Sequence, residues 1–421
     1  TAETTGLGAS TYAGIVATMA RGITNFSDNH NHGAITCNDH VAGRTIGGVV
    51  GTHSWSAITN CTNNAALTNN GNAAATHIGG IIGRDVLLSI TNCTNNGVVK
   101  NSGNLTGTNN FYIAGISGSD LLITDEDYTA YNFKQEDCYV TNCHNKAEII
   151  NDGTGNSIFV AGIVARTTSA TINECTNTAA IKHIGISKSN CYISGICGRS
   201  CTSVDQTTNS GAVIVGGEEK APASGLLFIT GIVGTSNGPI TNTSNSGNIT
   251  VIGDATNTTD FDVYVAGISN SFKDKMAECS NSGDITVKDI VTTPLWIAGI
   301  SNKAYCTAKS SSTDKWQNVE NSGDITLENL TGWTGNSNCY IGGLVGHLLK
   351  PDGETLESTN RVELYNWTNT GNITTKNFGP ALASGATGKE GRTILGGCFG
   401  HYTISQFDLN DCDNEGDLNI E

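Results

Sequence analysis

Two short motifs alternate along the chain, and the spacing of their copies narrows the possible folds more than any other feature. The first reads Asn-Cys-Thr-Asn-x-Gly-x-Ile with variations. It runs from NHNHGAI at 29–35 through NCTNNAAL (60–67), NCTNNGVV (92–99) and ECSNSGDI (278–285) to DCDNEGDL (411–418). Its central Asn stands at 31, 63, 95, 145, 177, 209, 245, 281, 321, 369 and 414, so the spacing returns to 32 and the longer intervals are insertions. The second motif is aliphatic-small-Gly-aliphatic. It begins as YAGIVA (12–17) and continues through IGGIIG (78–83), VAGIVA (160–165) and IGGLVG (341–346) to LGGCFG (395–400). A period of this length repeated over a whole chain is the signature of a solenoid, which grows in one dimension without separate domain cores.

Fixed columns define the fold class. Two residues after the turn Gly every copy is aliphatic, from Ile35 and Leu67 to Ile373 and Leu418. Three residues before the Cys position every copy is apolar, from Phe26 and Ile58 to Leu364 and Leu409. Equivalent residues must stack inward, which is what parallel coils ~4.8 Å apart produce. The expectation is an all-β chain: a parallel β-helix, or β-solenoid, of about ten coils. Each coil carries three short strands around one continuous core, and the solenoid forms a single domain over 1–421. Insertions are expected near 119–137, 303–316, 347–363 and 375–393. The column Asn63, Asn95, Asn145, Asn177, Asn209, Asn245, Asn281, Asn321 and Asn369 reads as a structural ladder, because Asn accepts left-handed turns and its amides can stack. The Gly two residues later reads as a tight-turn residue.

The run GGLVG at 342–346, with its variants GGIIG, AGISG and TGIVG, resembles the GLUG motif of repeat regions in bacterial surface proteins. The resemblance covers Tyr12 to Leu418. It implies an adhesin-like solenoid at a cell surface and supplies no catalytic residues.

Charge excludes some partners. The chain carries 22 Lys and Arg against 38 Asp and Glu, for a net charge of −16. Nucleic acid and anionic membranes both need clustered cations, so neither is expected as a partner. No apolar run of about eighteen residues offers a membrane span, and no signal peptide is legible. Thr1 reads as a mature terminus or the edge of a longer chain.

Fourteen Cys would suit a disulfide framework in an extracellular chain. However, Cys61, Cys93, Cys143, Cys175, Cys279 and Cys412 share one repeat column with Thr207, Thr243, Val319 and Trp367, which is the pattern of an inward packing site. Buried thiols are expected there, while Cys138 with Cys143, or Cys197 with Cys201, remain possible local cross-links. No zinc knuckle, hydrolase elbow or phosphate loop is present, and no cofactor is implied. His30 and His32 flank Asn31 as solvated turn residues or a weak metal pair. Asp284 and Asp324 belong to a polar outer row that follows the repeat.

Chemistry is more readily sought where the repeat breaks. The insertion 119–137 carries Asp125, Asp127, Tyr128 and Tyr131, an acidic and aromatic set suited to a glycan or protein ligand, or to plain surface decoration. The chain starts with a Gly-Ile half and ends with an Asn-Gly half, so each end reads as a half coil. Copies could then join head to tail, or the chain could be part of a longer surface protein. The expected function is structural or adhesive, without catalysis. The alternative is a glycan-active β-helix lyase or hydrolase, which would need clustered carboxylates in a groove.

Overall fold

The structure, a computed structural model, describes residues 8–19, 26–53, 57–85, 89–121, 137–216, 225–253, 261–290, 295–305, 315–331, 338–349, 362–379, 393–402 and 407–421. They form four parallel sheets that wrap a solenoid. Sheet I runs from Ser10–Ala13 to Thr393–Gly396, and sheet II from Val16–Met19 to Phe399–Tyr402. Sheet III runs from Phe26–Ser27 to Phe407–Asn414, and sheet IV from Ile35–Cys37 to Leu418–Ile420. The chain visits I, II, III and IV in order, then starts the next turn. Register is kept residue for residue over most of the stack, as where Leu67 pairs with Ile35 below and Val99 above, and shifts in sheet II between Ser117 and Asp120 and between Cys197 and Ser200.

The parallel β-solenoid is as expected, with differences in detail. Sheets I, II and IV each have eleven strands, so the turns number eleven where about ten were expected. The Gly-Ile motif, read as one strand, is two strands meeting at a corner, as in Arg44–Gly47 and Val50–His53. Each turn therefore has four sides rather than three. The opening Gly-Ile half belongs to the first turn and the closing Asn-Gly half to the eleventh, so neither is a lone half coil. The insertions are narrower than their expected bounds: Ser301–Tyr305, Val345–Leu349 and Ile373–Gly379 are strands.

The second Gly of the Gly-Ile motif is Gly in all eleven turns, from Gly14 and Gly48 to Gly343 and Gly397. The reason is a close approach. A Cβ on Gly162 would lie 2.0 Å from the Gly195 carbonyl oxygen and 2.6 Å from Cγ of Asn177. The corner between sheets I and II is thus pushed inward against the Asn column between sheets III and IV. The contact forms a waist, and the expected single core becomes two. Ile58, Cys61, Val50 and Ile81 fill one core between sheets II and III. Ile46, Leu67, Ile78 and Val99 fill the other between sheets I and IV.

The Asn column is a continuous amide ladder. Each Nδ2 donates to Oδ1 of the next turn, from Asn31 to Asn63 (2.8 Å), through Asn145 to Asn177 (2.7 Å), to Asn369 to Asn414 (2.8 Å). The same Nδ2 donates to the carbonyl two residues on, as from Asn177 to Ala179 (2.9 Å). The ladder Asn is not the left-handed residue. That role falls three positions earlier, on Asp28, Asn60, Asn92, Asn142, Glu174, Gln206, Asn242, Glu278, Asn318, Asn366 and Asp411, with φ between 46° and 58°. Left-handed backbone costs a non-Gly residue about 1–2 kcal/mol. An outer ladder offsets part of it, with Asn92 donating to Asn60 (3.1 Å) and Asn142 to Asn92 (2.8 Å). Nor does the later turn glycine need positive φ. A Cβ on Gly97 would lie 2.0 Å from the Ala65 carbonyl oxygen, so packing on the turn below selects a small residue.

A second buried ladder lies inside sheet IV. Arg44 donates to Asn69 and to the Gly71 carbonyl (2.8 Å), and pairs with Asp39 (3.0 Å). Asn69 donates to Asn101 (2.6 Å) and Asn101 to Asn151 (2.7 Å). Asn151 faces Nδ1 of His183 at 3.1 Å. The same Nδ1 lies 3.3 Å from the Asn151 carbonyl oxygen, so it meets both a donor and an acceptor. Burial lowers the His183 pKa to about 4.

Candidate functional groove

Because the corner bends inward, the outer faces of sheets I and II turn toward each other. The outward column of sheet I lies one residue before the motif's aliphatic: Thr11, Thr45, His77, Tyr112, Phe159, Tyr192, Phe228, Tyr264, Trp296, Tyr340, Ile394. Its rings stack turn on turn. Centroids are 4.8 Å apart for His77–Tyr112, 4.9 Å for Tyr112–Phe159, 4.7 Å for Phe159–Tyr192 and 5.0 Å for Tyr192–Phe228. Phe228–Tyr264 (4.7 Å), Tyr264–Trp296 (5.9 Å) and Trp296–Tyr340 (4.1 Å) continue the stack. The layer repeat of ~4.8 Å sets this spacing. These rings point away from both cores, yet Tyr112 is 5% exposed, Phe159 2% and Tyr192 7%. Outward rings so covered are overlaid by other side chains as well as by one another.

The cover comes from sheet II. Its outward side chains include Arg84, Arg166, Arg199 and Lys303, followed by His347 and His401. The Arg166 guanidinium lies 5.4 Å from the Phe159 ring centre, and that of Arg199 lies 5.1 Å from Tyr192. The Lys303 ammonium lies 4.9 Å from Tyr264 and 4.4 Å from Trp296. These are cation–π distances, within about 6 Å of the ring centre. His347 stacks on Tyr340 at 4.9 Å, and burial with His401 and Lys303 beside it lowers its pKa to about 4. Asn110 donates to the Tyr112 hydroxyl (2.9 Å) and Asn338 to that of Tyr340 (3.1 Å). Asp262 accepts from the Tyr264 hydroxyl at 3.4 Å. Ser200, Thr235, Ser271 and Lys303 follow one another in register, and Arg199 stands one residue before Ser200 at a register shift. The groove therefore presents a stacked aromatic floor under a row of cations and hydroxyls.

The sequence-predicted candidates fall elsewhere. Asp125, Asp127, Tyr128 and Tyr131 lie outside the described residues. The insertions leave the chain at two corners only, between sheets II and III and between sheets IV and I. Those corners are the two rims of the groove. The Asp284–Asp324 row is structural: Asp284 Oδ1 accepts from the Asp324 backbone N–H (3.0 Å), and Asp324 Oδ1 from that of Asn372 (2.8 Å). His30 and His32 are exposed, and Nδ1 of His32 lies 3.5 Å from Asn64. Among the described residues no three or more His, Cys, Asp and Glu gather into a metal site. Of the thirteen described cysteines eleven are buried, and Cys61, Cys93, Cys143, Cys175, Cys279 and Cys412 of the repeat column are thiols. Burial pushes Cys197 and Cys279 up to about 12.

The groove was not foreseen from the sequence, although a signal existed. Seven consecutive copies of the Gly-Ile motif carry an aromatic residue in one column, Tyr112 to Tyr340, and SNCYI occurs at both 189–193 and 337–341. The chain matches no protein-family model, no curated protein and no solved structure.

Proposed function

We propose that this is a non-catalytic, extracellular adhesive solenoid whose contact surface is the groove between sheets I and II. The observation that carries the reading is the continuity of that groove. One aromatic column runs through consecutive turns in register with the scaffold, faced by a column of cations and hydroxyls that Asp120 interrupts in the fourth turn and a register shift interrupts at Arg199. A catalytic centre is a local break in a repeat, whereas a binding surface is extended along it. The resemblance of GGLVG and its variants to the GLUG motif of bacterial surface repeats points the same way. A glycan-active enzyme would instead need two carboxylates facing a substrate across the groove. Asp262 accepts a hydrogen bond from a floor tyrosine, and Asp120 stands in register with Arg166 on the facing sheet.

The test is a glycan and matrix-protein array probed with the purified chain, with reducing-end release measured on each glycan that binds. Retention without product supports the adhesive reading. Product release would convert the assignment to the enzyme, and no retention on any surface would remove adhesion.

A second observation favours end-to-end association of copies. Of the exposed large apolar side chains among the described residues, all but Val98 lie in the first or eleventh turn: Ile15, Tyr402, Leu409, Leu418 and Ile420. Every amide of the Asn ladder also points the same way. Asn31 offers an acceptor face at one end and Asn414 a donor face at the other. A joint between two copies would continue both ladder and sheets.

A further inference from the structure

We infer that the groove is built for a linear anionic polysaccharide, laid along the rod with its carboxylate or sulfate groups on Arg166, Arg199 and Lys303. The inference rests on the groove being the contact surface and names what it contacts.

Charge is the first argument. The chain has 38 acidic against 22 basic side chains, so a cation on its surface should find an acidic neighbour. Arg199 nonetheless forms no ion pair among the described residues, while Arg166 stands in register with Asp120 of the turn below. Both guanidinium groups rest over rings, at 5.4 Å and 5.1 Å. A guanidinium lying over a ring keeps N–H donors for an incoming oxygen, although Arg166 Nη1 already donates to the Tyr112 hydroxyl (3.4 Å), and its fork matches carboxylate or sulfate. The rings hold these cations in place before binding, which reduces the ordering cost.

Spacing is the second argument. Arg166 and Arg199 are on adjacent layers, ~4.8 Å apart along the axis, and Lys303 lies three layers on, roughly 14 Å further. Arg84 precedes Arg166 by two layers, with Asp120 in the layer between, so the row spans roughly 29 Å. Thr235 and Ser271 fill the gap with hydroxyls. A stiff polymer bearing regular anions and many hydroxyls is complementary to such a row.

An acidic peptide fits less well. Peptides bind β-structures by adding to open strand edges, and the backbone groups of these strands already bond to the turns above and below. Each ordered peptide residue would also cost about 1–2 kcal/mol of backbone entropy. Nucleic acid meets the field of a chain with net charge −16. A sparsely charged polysaccharide in the groove is less affected, since charges beyond about 8 Å are screened at physiological salt.

The experiment is affinity electrophoresis of the whole chain through gels containing polygalacturonate, dextran sulfate, neutral dextran or polyglutamate, at two salt concentrations. We expect retardation by polygalacturonate or dextran sulfate that falls with salt. The Arg166→Gln/Arg199→Gln variant should lose it about tenfold. Whichever of the two acidic glycans binds more tightly identifies carboxylate or sulfate. Lys303→Gln provides a second, single-site variant, and matching melting curves show that each variant is folded. Retardation by polyglutamate equal to that by either acidic glycan would overturn the saccharide assignment. Retardation by neutral dextran alone would overturn the anionic assignment while leaving the groove as the contact surface. Unchanged retardation in folded variants, or no retardation by any polymer, would overturn both.

Discussion

At the residue scale, the fold rests on a few positions repeated eleven times. Gly162 and Asn177 form the waist in the fifth turn. Gly162→Ala drives a methyl group to 2.0 Å from the Gly195 oxygen, inside any carbonyl contact. The expected loss is about 3 kcal/mol, the upper end of overpacking costs, read from the guanidinium unfolding midpoint. Asn177→Ala should cost a similar amount, since Asn209 Oδ1 loses its donor and a buried orphan costs about 1–3 kcal/mol. The left-handed column gives a contrast. Asn92→Gly should be tolerated to within about 1 kcal/mol, because φ of 55° suits glycine, whereas Asn92→Val should be clearly worse. His183 sets a pH dependence. Its folded pKa of about 4 lies below the ordinary histidine value of 6.5, so the unfolded chain binds more protons between the two. Stability from this site is complete above about 6.5 and is lost as pH falls toward 4, by roughly 3 kcal/mol. Unfolding midpoints measured across that window should show the slope, and His183→Asn should remove it.

At the scale of the element, the outer columns behave as spines. Phe159 is stacked on both faces, by Tyr112 and Tyr192, and covered by Arg166. Phe159→Ala should therefore cost about 3–5 kcal/mol, the range of a buried core phenylalanine, although the ring lies outside both cores. A loss below 1 kcal/mol would mean that the groove side chains are not ordered in solution. The Cys column makes a separate statement. Cys61, Cys93, Cys143 and Cys175 are buried on consecutive turns, each thiol against the carbonyl two residues back at 3.2–3.4 Å. Thiols so held are inaccessible, and therefore unreactive. Titration with a water-soluble thiol reagent should modify Cys398 and Cys412 first, and the column only after denaturation. Rapid labelling of the column in the folded chain would contradict the burial.

For the whole molecule, each turn touches only its neighbours, so stability is a sum of turn and interface contributions. The ends are where that sum is incomplete: Ile420 is 74% exposed, and Leu409 and Leu418 nearly half exposed. Copies joined end to end should appear as a ladder of masses in size-exclusion chromatography with light scattering, and as rods of multiple lengths in negative stain. Leu418→Lys/Ile420→Lys should collapse that ladder to monomers. A monodisperse wild-type chain would remove end-to-end association and leave the groove reading untouched.

The sequence alone determined the stack. Copies spaced 32 residues apart carry Ile, Leu or Val after every turn glycine, so like residues must lie over like residues. In a parallel in-register coil that rule fixes the class, the ladder and the inward apolar columns. It does not fix the angle between successive strands. That angle comes from Gly48 meeting Asn63, fifteen positions apart on opposite sides of the turn, a contact that no local pattern encodes. The contact pinches one expected core into two and folds the outer faces of sheets I and II together. The aromatic column from Tyr112 to Tyr340 was legible in the sequence, and so were Arg166 and Arg199. Only the inward bend placed the cations over the rings.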